Sequence, residues 1–185
     1  VINTLVGLYL LVVILRFLLQ LVRADFYNPI SQFIVKATNP PLIPLRKVIP
    51  GFGGIDIASL TLALLVQIIA IVLILLLNGI QPPPLEVVMW SAIGIISLVL
   101  KVYFWGLLIT VIASWIAPNS YNPALILINQ ILEPAIKPIR KMMPDMGGID
   151  ISPIVVFLLI QVLEILVVKG LAQASGMPSG LVMGI

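Results

Sequence analysis

Apolar residues fill four long runs along the chain, and short polar, glycine- or proline-rich segments separate them. The runs extend from about Asn3 to Val22, Ile57 to Leu77, Leu85 to Ala117 and Ile151 to Val168. Each is apolar nearly all round, not striped, which is the pattern of a helix surrounded by hydrocarbon. A helix needs roughly 20 such residues to cross an apolar layer about 30 Å thick. The runs therefore predict four transmembrane helices and an all-α membrane protein. Asn78, Gly79 and Pro82 to Pro84 end the second run, and Gly170 with the glycine- and proline-bearing tail ends the fourth. The third run is 33 residues long, or about 50 Å of helix. One long tilted helix, with Gly94 as the place for a bend, is favoured over an interfacial start across residues 85–97, a position that would suit Trp90. The first run does not read as a cleaved signal, because it lacks a basic start and Arg16 interrupts it.

A shift of 94 residues lays the chain on itself without a gap. Tyr27-Asn28-Pro29 falls on Tyr121-Asn122-Pro123, and Pro40, Pro44 and Pro50 fall on Pro134, Pro138 and Pro144. Arg46-Lys47 falls on Arg140-Lys141, and Gly53-Gly54-Ile55-Asp56-Ile57 on Gly147-Gly148-Ile149-Asp150-Ile151. Between Tyr27 and Ile57 there are 14 identities in 31 positions, and hydrophobic bias cannot align prolines, glycines and charges. The organisation is one membrane domain: repeat 1 over 1–77, a linker with the start of the third helix over 78–96, repeat 2 over 97–171, and a tail over 172–185. With two spans each, the repeats insert the same way up, as two parallel two-span units about a pseudo-two-fold along the membrane normal.

Composition narrows the chemistry. The chain is 61% hydrophobic and 9% charged, against about 25% charged residues in a soluble domain. Too few charges remain to cover a globular surface in water, which excludes an ordinary soluble enzyme, a disordered chain and a nucleic-acid reader. There is no cysteine and no histidine, so disulfides, thiolate chemistry and the usual neutral-pH base are absent. No phosphate-cradling loop, zinc-protease pattern or nucleophile elbow is present. No cofactor is expected, and the protein reads as non-enzymatic.

Seven of the ten basic residues lie in the two inter-span segments of the repeats: Arg23, Lys36, Arg46, Lys47, Lys137, Arg140 and Lys141. Lys169 alone lies on the opposite side, and Arg16 and Lys101 lie within spans. This bias places both segments in the cytoplasm and both termini across the membrane. Asn28 and Asn122 suit helix N-caps, with Pro29 and Pro123 in the first turn. Each starts a short amphipathic helix, the first ending before Pro40, that lies in the interface plane or packs on the end of the bundle. A proline-punctuated stretch follows. Its basic pairs, Arg46-Lys47 and Arg140-Lys141, read as topology determinants or as contacts for anionic lipid or a protein partner. Gly53-Gly54 and Gly147-Gly148 mark a turn with unusual backbone angles. Asp56 and Asp150 stand at the mouths of the second and fourth spans, where a carboxylate caps free backbone donors. A cation or proton site made by the two carboxylates is the sharper alternative.

Ionisable residues inside a membrane are costly and call for a role. Arg16 lies about 9 Å inside its span and shares a helical face with Gln20 and Arg23; it can snorkel. Lys101 and Glu164 fall at similar depths on the third and fourth spans and predict an ion pair, either pinning helix register or forming part of a proton or ion pathway. Gln67 and Gln161 fall at equal depth near the midplane, where the pseudo-two-fold would let them bond to each other. Tyr103, Phe104, Trp105 and Trp115 read as packing and interface belt.

The pattern Tyr-Asn-Pro, then Pro-x-x-x-Pro-x-Arg-Lys-x-x-Pro, then Gly-Gly-Ile-Asp, present twice, resembles the YggT family of small bacterial membrane proteins and their plastid relatives. The resemblance covers Tyr9 to about Val168, with Asp145 in the second copy where the first has Gly51. It implies a multi-pass protein of the bacterial cytoplasmic membrane, with loose links to osmotic stress, cell division and membrane organisation, and to assembly of photosynthetic complexes in plastids. It offers no catalytic residues. Together these point to a membrane scaffold or assembly factor, held by anionic lipid, other membrane proteins or its own copies. A small ion or solute transporter, built on Arg16, Lys101, Glu164 and the glutamines, is the alternative.

Overall fold

The computed structural model describes residues 2–116, 121–143 and 150–178. The elements are helices α1 (Ile2–Leu21), α2 (Pro29–Val48), α3 (Ile57–Leu77), α4 (Pro84–Ile116), α5 (Pro123–Met142) and α6 (Ser152–Leu163). A π-helical stretch, Glu164–Lys169, then joins α6 to the short α7, Gly170–Ala174. Among the described residues, four stretches are long and apolar enough to cross a membrane: Asn3–Leu21, Ile57–Leu77, Pro84–Ile116 and Ser152–Ala174. Their outer faces carry bare apolar side chains, among them Leu5, Leu8, Ile69, Ile154 and Leu166, which only a lipid or protein covering would satisfy.

The fourth span runs past Val168, where the sequence predicts its end. Gly170 has helical angles and does not break it; the chain turns at Gly176, whose φ is +63°. Residues 85–97 belong to the single helix α4. Trp90 is buried there, and its indole N–H donates to the Ser175 carbonyl at 3.2 Å. It is a packing residue holding the start of α4 to the end of the fourth span, not an interfacial anchor.

The two inter-span helices are longer than their proline content predicts. α2 continues through Pro40, Pro41 and Pro44 to Val48, and α5 through Pro134 and Pro138 to Met142. Proline φ suits a helix; what proline removes is a donor, leaving the carbonyl four residues earlier without its bond. Pro40, Pro44, Pro134 and Pro138 all lie on exposed faces, so those carbonyls face outward. The opposite face of α2, with Ser31, Ile34, Thr38 and Leu42, is buried. Leu127, Ile131, Leu132 and Ile136 do the same for α5. Both helices pack by these faces on the spans, with Ile34, Leu42, Leu127 and Ile131 in one core cluster with Leu10, Val13, Ile14 and Leu18 of α1. The caps join the halves: Asn28 accepts from Ile30 N–H at 2.9 Å and its side-chain amide donates to the Pro123 carbonyl at 2.9 Å.

Contacts between spans are not symmetric. α3 packs on both α1 and α4, whereas α6 packs on α4 and α5 and does not touch α1. Close approach of α4 to α5 depends on Gly106, where an added Cβ would stand 3.3 Å from Ile128 Cγ2 and 3.4 Å from Leu132 Cδ2. Gly106→Val should therefore force these helices apart and cost about 1–3 kcal/mol, read as a lower midpoint in a denaturing-detergent titration.

Three helix ends close by the same bonding pattern, with a left-handed residue just past the helix. Two use glycine, Gly79 at φ +71° and Gly176 at φ +63°. The third uses Arg23 at φ +53°, with Ala24 N–H bonded to Leu19 O at 2.8 Å and Arg23 N–H to Gln20 O at 3.1 Å. Arg23 thus lies beyond α1 and does not extend the stripe of Arg16 and Gln20. A left-handed L-residue costs about 1–2 kcal/mol, so Arg23→Gly should raise stability, by about 0.5–1 kcal/mol after the looser unfolded chain is counted, in the same titration.

Candidate functional site

The most elaborate polar cluster lies where the inter-span segment meets the second span. After α2, Phe52 and Ile55 pair across Gly53 and Gly54, with Ile55 N–H bonded to Phe52 O at 2.9 Å. Both glycines have positive φ, +60° and +86°, which makes the two-residue hairpin turn that needs such angles twice in a row. The turn brings Asp56 back beneath Arg46. Asp56 is the N-cap of α3, accepting from Ser59 N–H at 3.3 Å and from the Ser59 hydroxyl. Its Oδ2 also receives Arg46 Nη2 at 2.5 Å, and the same Nη2 reaches Gln20 Oε1 at 3.0 Å. One guanidinium therefore ties α1, α2 and α3 together. Asp56 is 3% exposed and Arg46 35%. Burial pushes the Asp56 carboxyl up, but the Ser59 hydroxyl and the Arg46 guanidinium outweigh it and hold the group below its ordinary value.

A second arginine–aspartate clamp lies ahead of α6. Arg140 Nε donates to Asp150 Oδ2 at 2.8 Å, and Asp150 Oδ1 accepts from Ser152 N–H at 2.9 Å and from the Ser152 hydroxyl. Asp150 is one residue outside the N-cap, Ile151. The pair is far more open, at 50% and 41% exposure, and Arg140 also lies 3.7 Å from Glu133. The Ser152 hydroxyl is the main cause of the lowered Asp150 pKa; burial opposes it, and the Ser152 backbone N–H and the Arg140 guanidinium add to the lowering. Gln20 has no counterpart here, since a shift of 94 reaches Ser114, and the capping serine has moved from the position of Ser59 to that of Ala58. Asp145, Gly147 and Gly148 lie outside the described residues.

The basic pairs thus split in role. Arg46 and Arg140 are bound by carboxylates of the chain, while Lys47 and Lys141 are exposed and form no ion pair among the described residues. Exposed apolar side chains flank them: Val48 and Phe52 near Lys47, and Met142 beside Lys141. Tyr27 and Tyr121, at the starts of the same segments, are each 91% exposed.

Within the spans, the expected Lys101–Glu164 ion pair is not made. Glu164 Oε1 accepts instead from the Ser97 hydroxyl at 3.1 Å, and Oε2 is buried without a partner. Ser97 lies one turn, about 6 Å, from Lys101 on α4, so Glu164 bonds one turn away from the partner that helix ends alone suggest. Lys101, Gln161 and Glu164 line one cavity of about 290 Å³, and Lys101 also borders an apolar crevice of about 420 Å³ against Leu11 and Leu15. The π-helical stretch begins at Glu164; such wide turns recur at functional positions. Gln67 and Gln161 are not partners either. Gln67 is buried in α3 with its Nε2 unbonded, and α3 does not reach α6. Arg16 is 7% exposed, with its carbon Cζ 5.4 Å from the centroid of the Phe26 ring. Phe104 stacks on Phe157 with centroids 4.8 Å apart, while Trp115 is exposed. Among the described residues no group of three or more carboxylates is placed to hold a metal.

Sequence reasoning missed Gln20, Ser59 and Ser152 as members of the clamps. The serines had a signal, since a hydroxyl within three residues of a span-mouth aspartate sits where the first free helix donors are. Gln20 had none, because its partner is 26 residues away.

The family model described as CCB3/YggT matches residues 1–77 and 89–171. An uncharacterized protein of Pseudomonas aeruginosa is 55% identical over 183 residues, covering 98% of this chain and 93% of that protein. An uncharacterized protein of Vibrio alginolyticus is 41% identical over 162 residues, covering 86% and 87%. The uncharacterized protein YggT of Escherichia coli K12 is 38% identical over 177 residues, covering 94% and 90%. No solved structure matches. With the doubled Tyr-Asn-Pro and Gly-Gly-Ile-Asp segments and both matched stretches falling on the helices described above, the chain belongs to the CCB3/YggT family.

Proposed function

We propose that the protein is a non-enzymatic scaffold or accessory protein of the bacterial cytoplasmic membrane, built of two parallel two-span repeats with its inter-span segments in the cytoplasm and both termini outside. The observation that carries this reading is the arginine–aspartate clamp made in both halves, Arg46–Asp56 and Arg140–Asp150. A clamp that fastens a connecting segment to the next span makes a fixed platform, not a moving gate. On that platform Lys47, Lys141, Phe52 and Met142 face outward, a mix of basic and apolar groups suited to a membrane partner at an anionic surface. Association with a larger membrane complex, in envelope stress or division, is the role this surface fits.

The test is purification in mild detergent at native expression level, with mass spectrometry of what co-elutes. The expected result is a stoichiometric membrane partner that Lys47→Glu with Lys141→Glu releases while the thermal midpoint stays unchanged. The second reading, transport of a small ion or solute, is favoured by the cavity of about 290 Å³ under Lys101 and the unbonded Glu164 Oε2. A partner-free homo-oligomer whose ion flux in liposomes is abolished by Glu164→Gln would overturn the scaffold in favour of transport.

A further inference from the structure

The guanidinium of Arg16 is the deepest unmet charge in the first half. It is 7% exposed, and its Nε and Nη1 have no hydrogen-bond partner. Leaving a buried charged donor unsatisfied costs well over 1 kcal/mol, so a chain that keeps one has a use for it. No carboxylate among the described residues pairs with it, since Asp56 is already taken by Arg46 and Ser59. Arg16 instead lines a cavity of about 300 Å³ with Phe26, Gln32, Val35 and Lys36, between α1 and the first turns of α2. Lys36 is exposed at the rim and forms no ion pair among the described residues. The Gln32 side-chain amide donates to the Tyr27 carbonyl at 3.4 Å. The Phe26 ring sits beside the guanidinium. The cavity thus holds two cations, an amide and no anion.

We propose that this cavity binds the phosphate group of an anionic ligand, with Arg16 as the deep partner and Lys36 as the rim partner. Arginine offers a planar fork that matches phosphate oxygens, and lysine a mobile point charge. The cavity opens beside the start of α2, close to the end of α1, where an anionic lipid headgroup or a free phosphate compound could present the same group. The second half of the chain argues that the set is a site and not a by-product of the fold. At the positions shifted by 94, Arg16, Phe26, Gln32 and Lys36 become Thr110, Ser120, Ile126 and Gln130. The second half also has a long apolar helix followed by a proline-led one, α4 and α5, while both cations are gone. The cavity lies within electrostatic range of the Arg46–Asp56 clamp but is lined by none of its residues and by neither platform lysine, and it stands or falls without the scaffold reading.

The experiment has two arms. In the first, native mass spectrometry follows the detergent-purified protein titrated with phosphatidylglycerol or phosphatidylcholine. In the second, thermal unfolding is measured in inorganic phosphate against chloride at equal ionic strength. Four proteins are compared: wild type, Arg16→Gln, the double variant Gln32→Ile with Lys36→Gln, and Lys47→Gln. The double variant introduces the residues that the second half already carries, so it keeps a readout if Arg16→Gln fails to fold. The expected result is one tightly held ligand per wild-type chain, weakened at least tenfold in the cavity variants and unchanged in Lys47→Gln. Retention of phosphatidylglycerol identifies a lipid source, and a midpoint raised by inorganic phosphate identifies a free one; either supports the site. Equal binding by wild type and the cavity variants, an equal loss in Lys47→Gln, or no binding in either arm overturns it.

Discussion

Asp56→Asn should cost about 2–3 kcal/mol, the range for a charged hydrogen bond with its donor left behind, whereas Asp150→Asn should cost less than about 1 kcal/mol, as exposed pairs do. Asparagine still caps a helix, so each substitution removes charge and little else. The difference follows from burial: Asp56 is 3% exposed and Asp150 41%. Reversing the cut sharpens the test. Arg46→Leu strands the Asp56 carboxylate in a buried place and should cost about 3–5 kcal/mol, more than the loss of Asp56 itself, because Arg46 keeps access to water. The pH dependence has a defined sign. The Asp56 carboxyl is held below its unfolded value, so its contribution is complete above about pH 4 and is lost as pH falls through the folded value. Wild-type stability should drop with acid in that window, and Asp56→Asn should flatten most of the drop. Equal losses at the two aspartates, or an acid profile untouched by Asp56→Asn, would show that the buried clamp is not the stronger one. Midpoints from a denaturing-detergent titration between pH 3 and 7 give both readings.

Trp90→Ala is expected to be the other severe lesion, at about 3–5 kcal/mol. Trp90 is 5% exposed, packs with Ile71, Leu75 and Val87, and donates to the Ser175 carbonyl. It is the piece that fastens the first turns of α4 to α3 and to the end of the fourth span. Trp90→Phe keeps a six-membered ring but loses the pyrrole part and its N–H, so it should cost less, about 1–3 kcal/mol. The ordering of the two losses shows how much of the anchoring comes from the bulk of the ring. A Trp90 that merely anchored the chain at a lipid interface would show small and similar losses for both.

Local chemistry was readable from the chain, and relations between distant elements were not. The four spans, the asparagine before each proline-led helix and the paired glycines ahead of Asp56 each depend on residues within a few positions. Errors arose where one side of a helix had to be known. Pro40 and Pro44 end a helix by rule, yet they continue one here because both face outward. Trp90 suits an interface by type, yet tertiary packing buries it. Errors also arose where two helices had to be set level. Counting from span ends pairs Lys101 with Glu164, whereas Glu164 bonds one turn away, to Ser97. Symmetry pairs Gln67 with Gln161, but α6 does not occupy the place that symmetry gives it. Within the site, the arginines, lysines and aspartates were all visible as charges. Which arginine was free and which was clamped required the fold.

The bond from the Asn28 side chain to the Pro123 carbonyl spans 95 residues, and this sets a clock on biogenesis. A ribosome adds about 5–20 residues each second, so about 5–20 s separate the emergence of the donor from that of its acceptor. During that interval the first two spans and α2 exist without α5, and the apolar faces of Ile34 and Leu19 that α5 will cover stand open. The nascent first half is therefore a sticky intermediate while the rest is made. Insertion of this protein should be sensitive to the pace of translation between those two residues, and chaperones of the insertion machinery have their natural opportunity there.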